Sequence, residues 1–289
     1  SPYGFVSTVR LSALLFAWPV SAPARSKRPK AAVAALSQRS QADGLIVLLT
    51  DFGVSDPYVG VMKGAIASVN PDLRVIDLTH EIAPHDICCA AFFLAQSGPH
   101  FPQGTTFIVV VDPGAGSDRR GLIVRTQHAT LAGPDNGVLI QGAGDAAEIH
   151  SLTETRWHGS CCSHTFPGRD VFAPVGAHAA GGTPPGQFGS LVRDPVHLPE
   201  SAASRVICID RFGNAVTDVR PDAISAEATV RCGEFEAQRV SLTYATANPG
   251  DALAFVNSYG LVELAVNQGN AAESLRISVG DRVYLEDVY

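Results

Sequence analysis

The chain of 289 residues is 46% apolar and 17% charged, the composition of a globular protein long enough to bury a large core across two domains. Its net charge of −7 is unevenly spread: residues 1–42 carry six Lys or Arg and no acid, leaving 15 basic against 28 acidic side chains, or −13, in the rest. An acidic body of this kind suits a cationic ligand and lacks the basic surface that nucleic-acid phosphates need, and no run reaches the roughly 18 apolar residues of a membrane span, so neither nucleic acid nor membrane is expected as a partner.

Residues 1–43 are rich in Arg and Ser, with an apolar patch at 11–20 followed by Ser21-Ala22-Pro23-Ala24. They read as a transit peptide, a signal-like leader or sequence outside the fold. The location expected is cytoplasmic, or organellar if the stretch is a transit peptide. From Leu45 strand and helix patterns alternate. LIVLLTDFG is a buried apolar run ending in Asp51 and a glycine turn; Pro57 opens a helical stretch closed by Asn70-Pro71; RVIDLTH is a second strand; Asp86 N-caps the helix ICCAAFFLAQS, which ends at Gly98. TFIVVVDPGAGSDRR then carries a β-branched run into Asp112, a Pro-Gly turn and the pair Arg119-Arg120, followed by the strand GLIVRT, a strand about 129–131, the turn PDNG and an expected strand VLIQG.

After a loop, Asp170 is expected to N-cap VFAPVGAHAAGG, and the Pro- and Gly-rich stretch 181–200, with an apolar island at Phe188–Val192, reads as a linker. From residue 205 apolar and polar residues alternate, with turns about every ten residues. The expected fold class is therefore α/β: an α/β domain over 44–192 with a largely parallel sheet flanked by helices, and an antiparallel β domain over 200–289, a small barrel. Six cysteines, at 88, 89, 161, 162, 208 and 232, lack zinc-knuckle spacing and read as buried free thiols. His80, His85 and Asp86 have neither the number nor the spacing of a metal site, so no metal is expected.

The ordered set TDFG, DPYVGVMKG, IDLTHEI, FPQGT, VVDPGAG, RR, PDNG, TFPGRD, DRFGN and NSYG resembles the S-adenosylmethionine hydroxide adenosyltransferase family, relatives of the fluorinases and chlorinases, over residues 45–289. The resemblance implies hydrolysis of S-adenosyl-L-methionine to adenosine and L-methionine by water attacking the ribose 5′ carbon, no cofactor beyond that substrate, and a homotrimer whose sites lie between the α/β domain of one subunit and the β domain of its neighbour. It also implies that Asp51 accepts the ribose hydroxyls, that Asp56 and Asp210 lie near the methionine amine, that Asn214 lies near adenine, and that Ser258 and Tyr259 close over the substrate. From the residues alone, each of the four at 51, 56, 210 and 214 can also be read as a turn or capping residue.

Asp112 and Arg119 match two of the family's three water-activating groups. The third, a histidine, belongs where this chain has Pro167, which can neither donate nor accept through its side chain. His164 is close by in sequence but reads as a loop residue. Two other readings therefore stand beside the hydrolase: a slow or non-catalytic binder of S-adenosylmethionine or adenosine, and a halogenase, which Asp112 disfavours because a carboxylate repels halide.

Overall fold

The computed structural model describes residues 44–286 apart from 145, 147, 161, 162, 200–202, 224, 226, 227, 238 and 239. These residues divide into two compact units, meeting in sequence at Leu198 and Pro199. The expected leader and Cys161-Cys162 lie outside the described residues.

The first unit is built on six strands: β1 Leu45–Thr50, β2 Arg74–Thr79, β3 Thr105–Val110, β4 Gly121–Arg125, β5 Ala129–Pro134 and β6 Glu148–Ser151. Their order is β2-β1-β3-β5-β4-β6, parallel from β2 to β5 and antiparallel at β4 and β6. Every residue of β1 and β3 is buried, so both faces of the sheet centre are covered, as unbroken apolar runs require. On one face Ile46, Leu48, Ile108 and Val110 pack with Met62 and Ile66 of helix α1 (Tyr58–Val69). Helix α2 (Ile87–Ser97) is capped by Asp86, whose carboxylate accepts from the Cys89 N–H at 2.9 Å.

Three expectations are corrected here. VLIQG is not a strand but helix α3 (Val138–Ala143), entered through Gly137 at φ 95° and seated on α2 so tightly that a Cβ on Gly142 would lie 2.5 Å from Leu94 Cδ2; a short apolar run has no periodicity of its own to separate the two states. Asp170 does not cap helix α4 (Ala173–Ala180). It lies within a wide helical turn, Gly168–Phe172, that leads into α4, and its carboxylate accepts from Arg169 and from the Ser163 N–H at 2.7 Å. The expected linker packs on this unit as far as Leu198: Phe188 is 1% exposed beside Trp157, the Val192 N–H donates to the Ile149 carbonyl, and the Val196 N–H donates to Asp135. Proline and glycine there set turns in a fixed segment.

The second unit holds β7 Val206–Ile209, β8 Ala215–Thr217, β9 Thr229–Cys232, β10 Phe235–Ala237, β11 Val240–Ser241, β12 Ala252–Val256, β13 Val262–Val266 and β14 Tyr284–Glu286. They form a three-stranded sheet, β10-β9-β14, and a five-stranded one, β11-β12-β13-β8-β7, antiparallel except for the β11–β12 pair. Both sheets feed one core, in which Val230, Cys232 and Phe235 meet Val206, Ala254, Val262 and Leu264. Among the described residues neither sheet closes into the expected barrel. Apolar alternation says which face of a strand is buried, and two stacked sheets satisfy it as well as a closed one. Of the cysteines described, Cys89, Cys208 and Cys232 are buried and Cys88 is exposed, so Cys88 departs from the expected burial.

Candidate active site

β1 lies between β2 and β3, so the chain reverses its direction of travel across the sheet at β1. In an open parallel sheet such a switch point opens a crevice at the carboxyl ends of the strands. Thr50 is paired with Val110, so the residues just beyond, Asp51 and Asp112, leave the sheet at neighbouring strand ends. They line one cleft of about 290 Å³ together with Phe52, Tyr58, Pro84, His85, Thr165 and Pro167.

The turn after β1 is fixed from behind. Thr50 Oγ1 lies 2.8 Å from His80 Nδ1, His80 Nε2 lies 3.0 Å from Asp77, and the Gly53 N–H donates to the His80 carbonyl at 2.7 Å. Asp51 Oδ2 accepts from the His85 N–H at 2.9 Å, and His85 itself sits at φ 70°, a left-handed conformation that a non-glycine residue holds only where its surroundings impose it.

The Asp112 side chain is 3% exposed. Its Oδ2 accepts from Arg119 Nη2 at 2.6 Å, and its buried Oδ1 has no hydrogen-bond partner within the protein. Burial pushes the Asp112 carboxyl above its ordinary value, with a smaller push from Asp51, against the downward pull of Arg119 and of the Gly114 backbone N–H. Arg119 is held in turn by the Arg120 carbonyl and by the Phe172 ring, 5.5 Å from its guanidinium. The PDNG turn locks this loop: Arg120 bridges Asp135 at 2.7 Å and Asp194 at 3.0 Å, and Asn136 Nδ2 donates to the Val111 carbonyl at 2.9 Å.

Pro167 stands at the mouth of the wide turn at φ −61° with no side-chain cap. His164 is exposed and does not line the cleft, although its carbonyl lies close to Gly116. Asp56 is exposed on the loop before α1 and is likewise outside the lining. Phe52 and Tyr58, both on the cleft lining, form an aromatic cluster with Phe166, centroids 5.3–5.8 Å apart, which no carboxylate pattern in the sequence marks. DPYVG and TFPGRD placed Tyr58 and Phe166 beside the motifs. Nothing in the spacing of His85 in the sequence marks its backbone N–H as a partner of Asp51.

In the second unit, Asp210 and Asn214 come together on the β7–β8 hairpin. Asp210 Oδ1 accepts from the Phe212 and Asn214 backbone N–H groups, each at 2.8 Å, and Oδ2 from Asn214 Nδ2 at 2.9 Å. Ser258 and Tyr259 are exposed on the turn between β12 and β13. Among the described residues no group of three or more His, Cys, Asp or Glu is arranged to hold a metal ion.

A parallel-sheet switch point carrying two carboxylates, one of them backed by arginine, defines a small-molecule site of the kind found in α/β enzymes. Residues 46–189 match the SAM hydroxide adenosyltransferase N-terminal domain and residues 204–284 match its C-terminal domain. The chain belongs to the SAM hydroxide adenosyltransferase family. It is 37% identical to the (R)-S-adenosyl-L-methionine hydrolase of Salinispora tropica, over 82% of this chain and 96% of that one, and 35% identical to the protein of the same name from Thermus thermophilus, over 83% and 98%. Likeness to a fluorinase from Actinopolyspora mzabensis is weaker, at 26% over 82% and 95%. The crystal structure of a conserved protein from Thermotoga maritima shares the fold with a TM-score of 0.78 at 32% identity, covering 83% of this chain and all of that one.

Proposed function

We propose that this protein hydrolyses S-adenosyl-L-methionine to adenosine and L-methionine. The observation that carries the reading is the state of Asp112, which lines the cleft with Asp51: one carboxylate oxygen is taken by Arg119, and the other takes no bond from any side chain. A water there donates one hydrogen bond to Asp112 Oδ1 and attacks the 5′ carbon. The carbon–sulfur bond breaks, its electron pair returns to sulfur, and the sulfonium leaves as the neutral thioether of methionine while Asp112 takes the water's proton. The reaction balances with substrate and water alone, so no cofactor is assigned.

Each part of the site has a task in this reading. Asp51 accepts the ribose hydroxyls, which orients the 5′ carbon for in-line attack. Arg119, whose guanidinium only donates hydrogen bonds, is no base but stabilises the developing hydroxide. Phe52 and Tyr58, which line the cleft, give a sulfonium cation an electron-rich surface. Asp56, Asp210, Asn214, Ser258 and Tyr259 keep the substrate-binding roles that the family pattern assigns them, and the assembly is a homotrimer.

Pro167 removes one general acid–base partner, a change worth about 10²–10⁴ in rate, so turnover is slow while affinity is retained. Halide transfer is disfavoured by the same Asp112 charge. Incubation of purified protein with S-adenosylmethionine and halide, followed by chromatography, separates the readings: adenosine with equimolar methionine supports hydrolysis, a halogenated nucleoside supports halide transfer, and tight binding without either product supports a binder.

A further inference from the structure

The second unit contains a buried ionisable side chain that the hydrolysis does not use. Glu263, on β13, is 5% exposed. Both of its carboxylate oxygens are engaged: Oε1 accepts from the Tyr244 hydroxyl at 3.1 Å and Oε2 from Asn257 Nδ2 at 2.8 Å. The two donors lead to two different turns. The Tyr244 hydroxyl, in turn, accepts from Asn214 Nδ2 at 3.0 Å, and the second Nδ2 hydrogen of Asn214 goes to Asp210. On the other side Asn257 Oδ1 accepts from the backbone N–H groups of Tyr259 at 2.9 Å and Leu261 at 3.1 Å, which shapes the turn that presents Ser258 and Tyr259. One buried carboxylate thus ties the hairpin of Asp210 and Asn214 to the turn of Ser258 and Tyr259.

The order of donors and acceptors allows little slack. Asn214 spends both amide hydrogens and Tyr244 its one hydroxyl hydrogen, so the chain runs from Asp210 to Glu263 with each donor used once. Burying a carboxylate costs several kcal/mol unless it is fully hydrogen-bonded, and the burial shows in a Glu263 carboxyl pushed above its ordinary range, with a further contribution from Asp210. A core that needed only to be filled would be better served by an apolar side chain at this place. The Tyr244 ring is fixed as well, 4.4 Å from the Phe255 ring.

We infer that Glu263 and Tyr244 are positioning residues for substrate binding: they fix the spacing between two turns, one carrying Asp210 and Asn214 and the other Ser258 and Tyr259, so that all four meet one ligand together. The inference rests on the substrate-binding reading of those four residues. Neither Glu263 nor Tyr244 need touch the substrate.

The test is Tyr244→Phe, which deletes one oxygen, and Glu263→Gln, which keeps volume but forces the Tyr244 hydroxyl or Asn257 to lose an acceptor. Each should raise KM for S-adenosylmethionine about tenfold, the effect of roughly one lost hydrogen bond, with kcat within about twofold because the water-activating groups lie elsewhere. The double variant should be little worse than either single one, as members of one network are not additive. A lowered melting temperature with KM and kcat unchanged in Tyr244→Phe would show a merely structural network and overturn the proposal, as would fully additive effects. Should Glu263→Gln fail to fold, Tyr244→Phe alone decides. If the native protein releases no adenosine, the hydrolase reading falls on its own, and the positioning role is judged by calorimetric affinity for S-adenosylmethionine: a tenfold loss in Tyr244→Phe upholds it and an unchanged value overturns it.

Discussion

Asp112 and Asp51 stand on adjacent strand ends, and their chemistry is coupled. The proposed mechanism needs Asp112 ionised, and burial holds its carboxyl above the ordinary aspartate range, so kcat/KM should fall on the acid side with a limb displaced upward from that range. The limb should move to lower pH in Asp51→Asn, which removes a neighbouring negative charge. A rate that stays flat down through the ordinary aspartate range would exclude Asp112 as the base. The same shift has a sign for stability. The folded protein binds the Asp112 proton more tightly than the unfolded chain does, so this group's contribution favours folding at acid pH and is lost as pH rises through its raised folded value. Asp51→Asn should also weaken binding of the nucleoside by about 1–3 kcal/mol, the range for a charge-assisted hydrogen bond; unchanged affinity by calorimetry in a folded variant would remove Asp51 from the site. These residues were legible in the sequence because an apolar run that ends in a carboxylate is a strand end whatever else it is. The Asp112–Arg119 pair was legible too, whereas the unpaired Oδ1 and the His85 N–H on Asp51 belong to loop conformations that no spacing encodes.

Among the elements, the proposed mechanism assigns the control of rate to the wide turn Gly168–Phe172 and its entry at Pro167. Pro167 sits at φ −61°, open to any residue, and makes no capping bond. The Arg169–Asp170 pair and the Ser163 N–H bond to Asp170 hold the surrounding loop independently of it. Pro167→His should therefore keep the loop and raise the rate of adenosine formation while leaving affinity nearly unchanged. If the native protein is already fast and the variant no faster, Asp112 and Arg119 suffice by themselves. Packing of α4 on β3 is a separate matter of shape: a Cβ at Gly176 would lie 2.5 Å from Cγ1 and Cδ1 of fully buried Ile108. Gly176→Ala gains about 1 kcal/mol of helix propensity but should lose about 1–3 kcal/mol to overpacking, a net fall in stability readable by denaturant titration. The elements misread in the sequence, VLIQG and the stretch after Gly181, failed for one reason: short segments take their state from what they pack against, Leu94 for the first and Trp157, which meets Phe188, for the second.

At the scale of the molecule, the two kinds of texture in the sequence, alternating strand and helix and then short alternating strands, correspond to the two units, while the closure of the second did not follow from pattern alone. The candidate residues divide between the units, with Asp51, Asp56, Asp112 and Arg119 in the first and Asp210, Asn214, Ser258 and Tyr259 in the second. A homotrimer is the assembly proposed, and light scattering should give three times the mass of the chain; a monomer that still binds S-adenosylmethionine tightly would contradict it. The most direct test of the central claim is to run the reaction in water enriched in heavy oxygen and to locate the label by mass spectrometry. Attack of an Asp112-activated water on the 5′ carbon predicts label in the 5′ hydroxyl of adenosine, none in methionine, and loss of product in Asp112→Asn. Unlabelled adenosine, or undiminished turnover in Asp112→Asn, would contradict the mechanism.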